Sequence, residues 1–213
     1  MTGVRCKLGA ITLCLFMLCP EISADFLYPL QETQIREAYF LGSGDRKRVA
    51  EFLGQYVREY PQPAKGSWVY SVELRTPYEE VVRRAWEKTV GYSAQQARKE
   101  YQARPDVVIV RAFISFAATY GSTLPPASKN GEPIRQPGDF RREFPVQVTQ
   151  TRLIEPKTVS ATPLYSKRRN VISGVDILLE FGAEQFGSGL TRVEVVTPEG
   201  QRVQAEFDLG KLK

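Results

Sequence analysis

The chemistry open to this chain is limited first by the side chains that it lacks. Its 213 residues include no histidine, and its three cysteines, Cys6, Cys14 and Cys19, all lie close to the N-terminus. These absences exclude a Ser-His-Asp triad, a Cys-His pair, a histidine general base and a zinc site of His and Cys ligands. Carboxylates, tyrosines, serines and lysines remain as the groups that could act on a substrate.

No motif in the sequence predicts a metal ion or a cofactor. A calcium loop of the D-x-[DN]-x-[DN]-G type does not occur. The stretch GAEQFGSG (182–189) has the Gly-x-x-x-x-Gly spacing of a phosphate-binding loop, but Ser188 and Gly189 stand where Lys and then Ser or Thr are required. We therefore predict no metal site and no cofactor, and interpret these glycines as turns between strands.

One pair of adjacent acids, Glu79 and Glu80, invites comparison with acid–base catalysis. A glycosidase needs two carboxylates roughly 5–10 Å apart across a cleft. This pair follows Thr76 and Pro77, which have the pattern of a helix N-cap and first helical residue. We interpret the two acids as first-turn residues that the helix dipole favours, and predict no catalytic residue.

The second candidate chemistry is binding by arginines and aromatic rings. Basic residues recur as pairs and runs near aromatic residues, and a groove of both kinds could hold a polyanion or a glycan by charge and stacking. The alternative is that the cations are scattered over a solvated surface. Segment RQPGDFRREF (135–144) is the best candidate, because it is arginine-rich, contains two aromatics and lies in an irregular stretch. The predicted ligand-binding residues are Arg135, Phe140, Arg141, Arg142 and Phe144.

The N-terminus has the pattern of a secretory signal peptide. Arg5 and Lys7 precede an uncharged run of 12 residues, Leu8 to Cys19, which Pro20 ends. The run is shorter than the ~20 residues of a membrane-spanning helix. We expect cleavage after Ala24, with an uncleaved anchor as the alternative.

Cleavage would leave a chain, 25–213, without thiols or disulfides. The signal holds two cations and one anion, so the net charge falls from +5 to +4. Export without disulfides fits a bacterial envelope better than an animal extracellular space. We predict a periplasmic or extracellular protein with no transmembrane helix after cleavage. It is predicted as one domain, and the alternative divides it into subdomains 25–120 and 146–213 joined by an irregular segment, 121–145.

Short helices are predicted in the first half of the chain. Thr33 is expected to cap one helix, and a second, over 45–60, places apolar residues at helical spacing on one face. The opposite face mixes both signs of charge, so we interpret this helix as packed on the core. Its run Arg46-Lys47-Arg48 lies at the positive end of the dipole, and a surface anion site is the alternative interpretation. Further helices are predicted after Thr76 and after Ser93.

Strands dominate the rest of the chain. Alternation predicts one over 67–75, and a strongly apolar run predicts another over 106–120. Five more follow: 146–154, 158–165, 175–181, 191–196 and 202–209. The predicted fold is α+β: an N-terminal helical hairpin and further short helices packed on a mainly antiparallel β-sheet or sandwich-like C-terminal half.

Two functional hypotheses follow. The first is an exported non-catalytic binding or scaffold protein that contacts another protein, through strand-edge pairing for example, or an anionic polysaccharide of the envelope surface. Nucleic acid is not the expected partner, because the basic residues do not form one concentrated patch. The second hypothesis is a carboxylate-dependent envelope hydrolase acting on a glycan. The oligomeric state is not predicted.

Overall fold

The computed structural model describes residues 26–88, 90–116, 137–166 and 172–213, which form an α+β fold. The five helices of this part are α1 (Glu32–Gly42), α2 (Arg46–Gly54), α3 (Pro77–Glu87), α4 (Ala94–Gln102) and α5 (Pro137–Glu143). Asp45, Thr76 and Ser93 each accept backbone N–H groups as N-caps of α2, α3 and α4. These three predicted helix starts are confirmed.

In the described part of the chain, nine strands form two antiparallel sheets. They are β1 (Val57–Glu59), β2 (Trp68–Arg75), β3 (Val107–Ser115), β4 (Val146–Thr149), β5 (Leu153–Ile154), β6 (Thr158–Tyr165), β7 (Ile172–Gly182), β8 (Leu190–Val196) and β9 (Arg202–Asp208). The first sheet has the order β1-β2-β3-β7-β6 and the second β5-β4-β8-β9. A short turn, 197–201, joins β8 to β9 as an antiparallel hairpin.

Strand β3 lies at the centre of the larger sheet. It pairs with β2 on one side and with β7 on the other, so strands from both sides of 121–145 share one sheet. Its side chains alternate between buried and half-buried. The strand predicted over 106–120 ends at Ser115, and residues 117–120 lie outside the described part of the chain.

Apolar side chains of both sheets form one core. Val110 and Ile177 of the first sheet and Val193 and Phe207 of the second are all nearly or fully buried within it. The helices form a second apolar cluster in which Ala38 of α1 and Val82 of α3 are fully buried. The sheets therefore pack as a sandwich, and α1 to α4 form a helical layer beside them.

The helix predicted over 45–60 is wrong in its last part. Helix α2 ends at Gly54, and residues 57–59 form β1, the edge strand paired with β2. Gly54 is a poor helix residue, and two tyrosines beyond it anchor the extended chain. The Tyr56 hydroxyl donates to the carbonyl of Lys213 at 2.6 Å, and the Tyr60 hydroxyl donates to the carbonyl of Gln204 at 2.9 Å.

The predicted cap of the first helix is also wrong. Helix α1 begins at Glu32 rather than after Thr33. The backbone N–H of Gln31 donates to the side chain of Gln34 at 2.8 Å, which satisfies one of the free donors at this end.

Candidate functional site

A groove opens where α1 turns into α2 and where α3 ends. Its volume is about 420 Å³. It is lined by Tyr39, Gly42, Ser43, Gly44, Arg46, Ala85, Trp86, Lys88 and Tyr92. We call it the aromatic–basic groove, because these residues include three aromatic rings and two cations and none of them is acidic.

The turn between α1 and α2 brings the walls of this groove together. A Cβ atom on Gly42 would lie 2.2 Å from the carbonyl oxygen of Val82, so only glycine lets α1 cross α3 this closely. Asp45 then starts α2 by accepting the N–H groups of Lys47 and Arg48 at 3.0 and 3.1 Å. The sharp turn places Arg46, the first residue of α2, beside the end of α3.

Tyr39 contacts two other aromatic rings at the groove and beside it. The ring centroids of Tyr39 and Tyr92 are 6.0 Å apart, and the Tyr39 hydroxyl donates to the Tyr92 carbonyl at 2.9 Å. Phe40 lies edge-on to Tyr39 at 5.3 Å and is 55% exposed. The guanidinium of Arg36 lies 5.6 Å from the Phe40 ring. The aromatic surface therefore extends beyond the groove along α1.

Each cation of the groove lies over an aromatic ring. The guanidinium of Arg46 is 5.8 Å from the Trp86 centroid, and the ammonium of Lys88 is 4.9 Å from the Tyr92 centroid. Lys88 also pairs with Glu100 at 2.9 Å. Within the described ranges, no carboxylate lies within 4.0 Å of the Arg46 guanidinium, so Arg46 is the cation that an anionic ligand can use.

A chain of ion pairs starts on the larger sheet and enters α3. Arg111 of β3 binds Asp176 of β7 at 2.6 Å and lies 4.0 Å from Glu73 of β2. Glu73 is in turn bonded to Arg83 of α3, which also binds Glu79 at 2.6 Å. These charges lie between the sheet and α3, where partial burial reduces their screening by salt.

The chain continues towards the groove. The Arg75 guanidinium lies 2.9 Å from Glu73 and 3.7 Å from Glu80. The Arg84 guanidinium lies 2.8 Å from Glu80 and 3.7 Å from Glu100. Glu100 finally holds Lys88. The charged side chains in this chain of ion pairs are therefore already paired with one another.

Glu79 is the most perturbed carboxyl of this chain of ion pairs. It is fully buried, and burial raises its pKa to about 7 although Arg83 acts in the opposite direction. Its Oε2 atom has no hydrogen-bond donor in the described part of the chain. Its side chain does not line the groove. The interpretation of Glu79 as an ordinary first-turn acid misses this burial.

A second depression, the α3–α4 cleft, adjoins the groove across the ring of Tyr92. Its volume is about 250 Å³. It is lined by Pro77, Glu80, Val81, Arg84, Tyr92, Ala97, Glu100, Tyr101, Arg104, Pro105, Asp106, Val107, Ile109 and Glu180. Burial, followed by the nearby charge of Glu100, raises the pKa of Tyr92 to about 12, so this hydroxyl stays protonated.

Four acidic residues line the cleft, and two of them are paired with the same arginine. Glu80 and Glu100 both contact Arg84, and hydrogen bonding from Lys88 lowers the pKa of Glu100. Glu79, whose pKa is raised, does not line the cleft. A glycosidase pair needs one protonated and one ionised carboxyl facing a common space, and Glu79 cannot serve as the protonated member there.

The structure separates the residues predicted to bind a ligand. Phe140 and Phe144 are fully buried, with ring centroids 6.0 and 5.6 Å from that of Phe116. Arg141 and Arg142 are exposed. The i, i+4 spacing puts both phenylalanines on the core side of α5 and its end, so their rings are closed to a ligand. Binding by the two arginines stays a prediction, and Arg135 lies outside the described residues.

The groove residues were missed because sequence analysis assigns them other roles. Tyr39 and Trp86 fit the buried faces of their helices, and nothing in the sequence shows that Tyr92 meets them. The one signal in the sequence is the basic run Arg46-Lys47-Arg48 at the start of α2, for which a surface anion site is the alternative interpretation.

Comparison with known proteins gives no relative for this site. No protein-family model matches the sequence, and no curated protein is significantly similar to it. None of the helices in the described part of the chain is long and apolar enough to cross a membrane. The described side chains also include no group of three or more acidic, His or Cys residues placed to hold a metal ion.

Proposed function

We propose that this chain is an exported, non-catalytic binding protein of a bacterial envelope or secreted space, and that it binds an anionic surface polysaccharide in the aromatic–basic groove. The observation that supports this most is the composition of the groove wall. Among the described residues, three aromatic rings and two cations line it, and no acidic side chain does.

The wall suits a polymer of sugar rings that carry acidic groups. The apolar face of a sugar ring can stack on Tyr39 or Trp86, while Arg46 pairs with a carboxylate or sulfate. The volume of about 420 Å³ lies within the usual range of ligand pockets. Phe40 and Arg36 continue the same surface outside the groove, so a polymer has further contacts along α1.

A protein partner is the second candidate. In the described sheet, β6 has a strand neighbour on one side only, β7. An eight-residue edge strand offers backbone groups to an extended segment of another protein. Pro163 within β6 lacks an N–H and shortens the stretch that could pair. We therefore favour the groove over the strand edge.

The hydrolase hypothesis has less support. Glu80 and Glu100 in the α3–α4 cleft are both paired with Arg84, and the hydrogen bond from Lys88 lowers the pKa of Glu100. The buried Glu79 does not line the cleft. Turnover of a glycan that is lost in Glu80→Gln or Glu100→Gln would reverse this preference.

Heparin chromatography and calorimetry with polygalacturonate, against neutral dextran, test the proposed function. Arg46→Ala is expected to shorten heparin retention and to weaken polygalacturonate binding about three- to tenfold, since one cation in partial contact with water is worth about 1 kcal/mol. Binding should weaken with added salt. The comparison variant is Arg141→Ala combined with Arg142→Ala, the two exposed arginines of the site predicted over 135–144.

The outcomes separate the two basic surfaces. Loss of retention in Arg46→Ala with normal retention in the comparison variant supports the groove. Loss only in the comparison variant would move the site to α5, as the sequence analysis predicted. Equal binding to dextran and polygalacturonate would refute a preference for anionic polymers.

A further inference from the structure

We propose that the α3–α4 cleft is a second binding site, which takes an ammonium or guanidinium group carried on an apolar stem. This proposal does not depend on the proposed function, because it concerns a different depression and a ligand of opposite charge. Three features of the cleft support such a ligand: a mainly apolar wall, two buried carboxylate oxygens without donors among the described residues, and an excess of carboxylates in the lining.

The cleft wall is mainly apolar. Six aliphatic or proline side chains line it: Pro77, Val81, Ala97, Pro105, Val107 and Ile109. The rings of Tyr92 and Tyr101 complete the wall. A methylene stem can be buried among these side chains, and aromatic faces attract a cation at its end.

Two carboxylates of the lining have an unused acceptor. In the part of the chain that the structure describes, Glu80 Oε2 and Asp106 Oδ1 are buried and have no hydrogen-bond donor, although the Asp106 carboxylate interacts with the Tyr101 hydroxyl. Glu80 Oε2 is 3.7 Å from the Arg75 guanidinium, which is beyond hydrogen-bond distance. Terminal carboxyl torsions are broad, so the Asp106 carboxylate can turn towards a ligand, whereas Arg84 holds the Glu80 carboxylate through Oε1. Buried acceptors without donors are disfavoured, and a cationic donor would satisfy them.

The charge balance favours a cation over an anion. The lining includes four carboxylates and two arginines. Arg84 is already shared by Glu80 and Glu100, which leaves Asp106 and Glu180 against one exposed arginine, Arg104. The excess of carboxylates favours a cationic ligand, because Arg104 is the one lining cation that is not already in an ion pair with a described carboxylate.

The ammonium or guanidinium group could belong to a free alkyl compound or to a Lys or Arg side chain of a polypeptide. Nuclear magnetic resonance titration of the full chain with n-butylguanidinium, n-butylammonium and the peptide Gly-Arg-Gly distinguishes these sources. n-Butanol, which has the same stem without the charge, is the neutral comparison. The peptide binding at least as tightly as the free compounds indicates a polypeptide ligand, and binding of the free compounds alone indicates a small molecule.

The expected result is binding of the butyl cations at least tenfold tighter than n-butanol, and at least a fivefold loss in Asp106→Asn. Glu87→Gln, an exposed acid at the end of α3, controls for the removal of one negative charge and should bind normally. Equal affinity for n-butanol, or no binding of any of the three cations at millimolar concentration, would overturn the proposal. If Asp106→Asn fails to fold, the comparison of cation with alcohol on the unchanged chain decides.

Discussion

The buried carboxyl of Glu79 predicts a specific dependence of stability on pH. Burial raises its pKa from 4.5 to about 7 in the folded chain, despite its bonds to Arg83. Below pH 4.5 the carboxyl is protonated in both the folded and the unfolded chain. Between pH 4.5 and 7 the unfolded chain releases this proton and the folded chain keeps it. The free energy of unfolding therefore falls as the pH rises through this window.

The size of the effect follows from the shift. A difference of one pKa unit corresponds to about 1.4 kcal/mol, so a rise from 4.5 to about 7 destabilises the fold by about 3 kcal/mol at pH 8 relative to pH 4. Glu79→Gln has no proton to release, and it keeps an oxygen that can accept from Arg83. The free energy of unfolding of the original chain, minus that of Glu79→Gln, should therefore decrease by about 3 kcal/mol from pH 4 to pH 8.

Urea unfolding followed by fluorescence of the two tryptophans measures this difference at several pH values from 4 to 8. Glu87→Gln, at the exposed end of the same helix, is the control for losing one carboxylate. If the curves for the original chain and Glu79→Gln stay parallel to within about 0.5 kcal/mol, the assignment of a raised pKa to Glu79 is refuted.

Two further predictions concern the packing that supports the groove and the core. Gly42→Ala should destabilise the fold by about 1–3 kcal/mol, because its Cβ would lie 2.2 Å from the Val82 carbonyl oxygen. Gly54→Ala has open space around it and should not destabilise the fold. Thermal unfolding of the two variants measures the difference. In urea titrations, Phe140→Ala should lower the free energy of unfolding by about 3–5 kcal/mol, because the ring is fully buried. Arg141→Ala, at an exposed residue, should lower it by at most about 0.5 kcal/mol. Similar losses in both variants would contradict the burial of the ring.

The strands were predictable because their signal is local. Alternation of side chains identifies β2, β6, β8 and β9 almost to the residue, since one face of each strand packs against the core. The cap residues of α2, α3 and α4 have an equally local signal. Each of these features depends on a few neighbouring residues and not on how the elements meet.

The errors arise where tertiary contacts decide. The apolar residues of 49–60 fit a helix, and the Tyr56 hydroxyl bond to the distant Lys213 carbonyl is among the contacts that turn the last of them into β1. The prediction that Phe140 and Phe144 bind a ligand takes no account of their burial, since both rings are fully buried, 6.0 and 5.6 Å from that of Phe116. The groove joins residues of three helices and of the segment before α4, and no single stretch of sequence contains that pattern.

The ring of Tyr92 belongs to both depressions, and this has a practical meaning for mutagenesis. Its removal would join the aromatic–basic groove to the α3–α4 cleft, whose wall is mainly apolar and carries four acids. A variant at this position would therefore report on neither ligand separately. If an occupant of one side shifts the ring, affinity on the other side must change, and thermodynamic reciprocity requires each ligand to alter the binding of the other by the same factor.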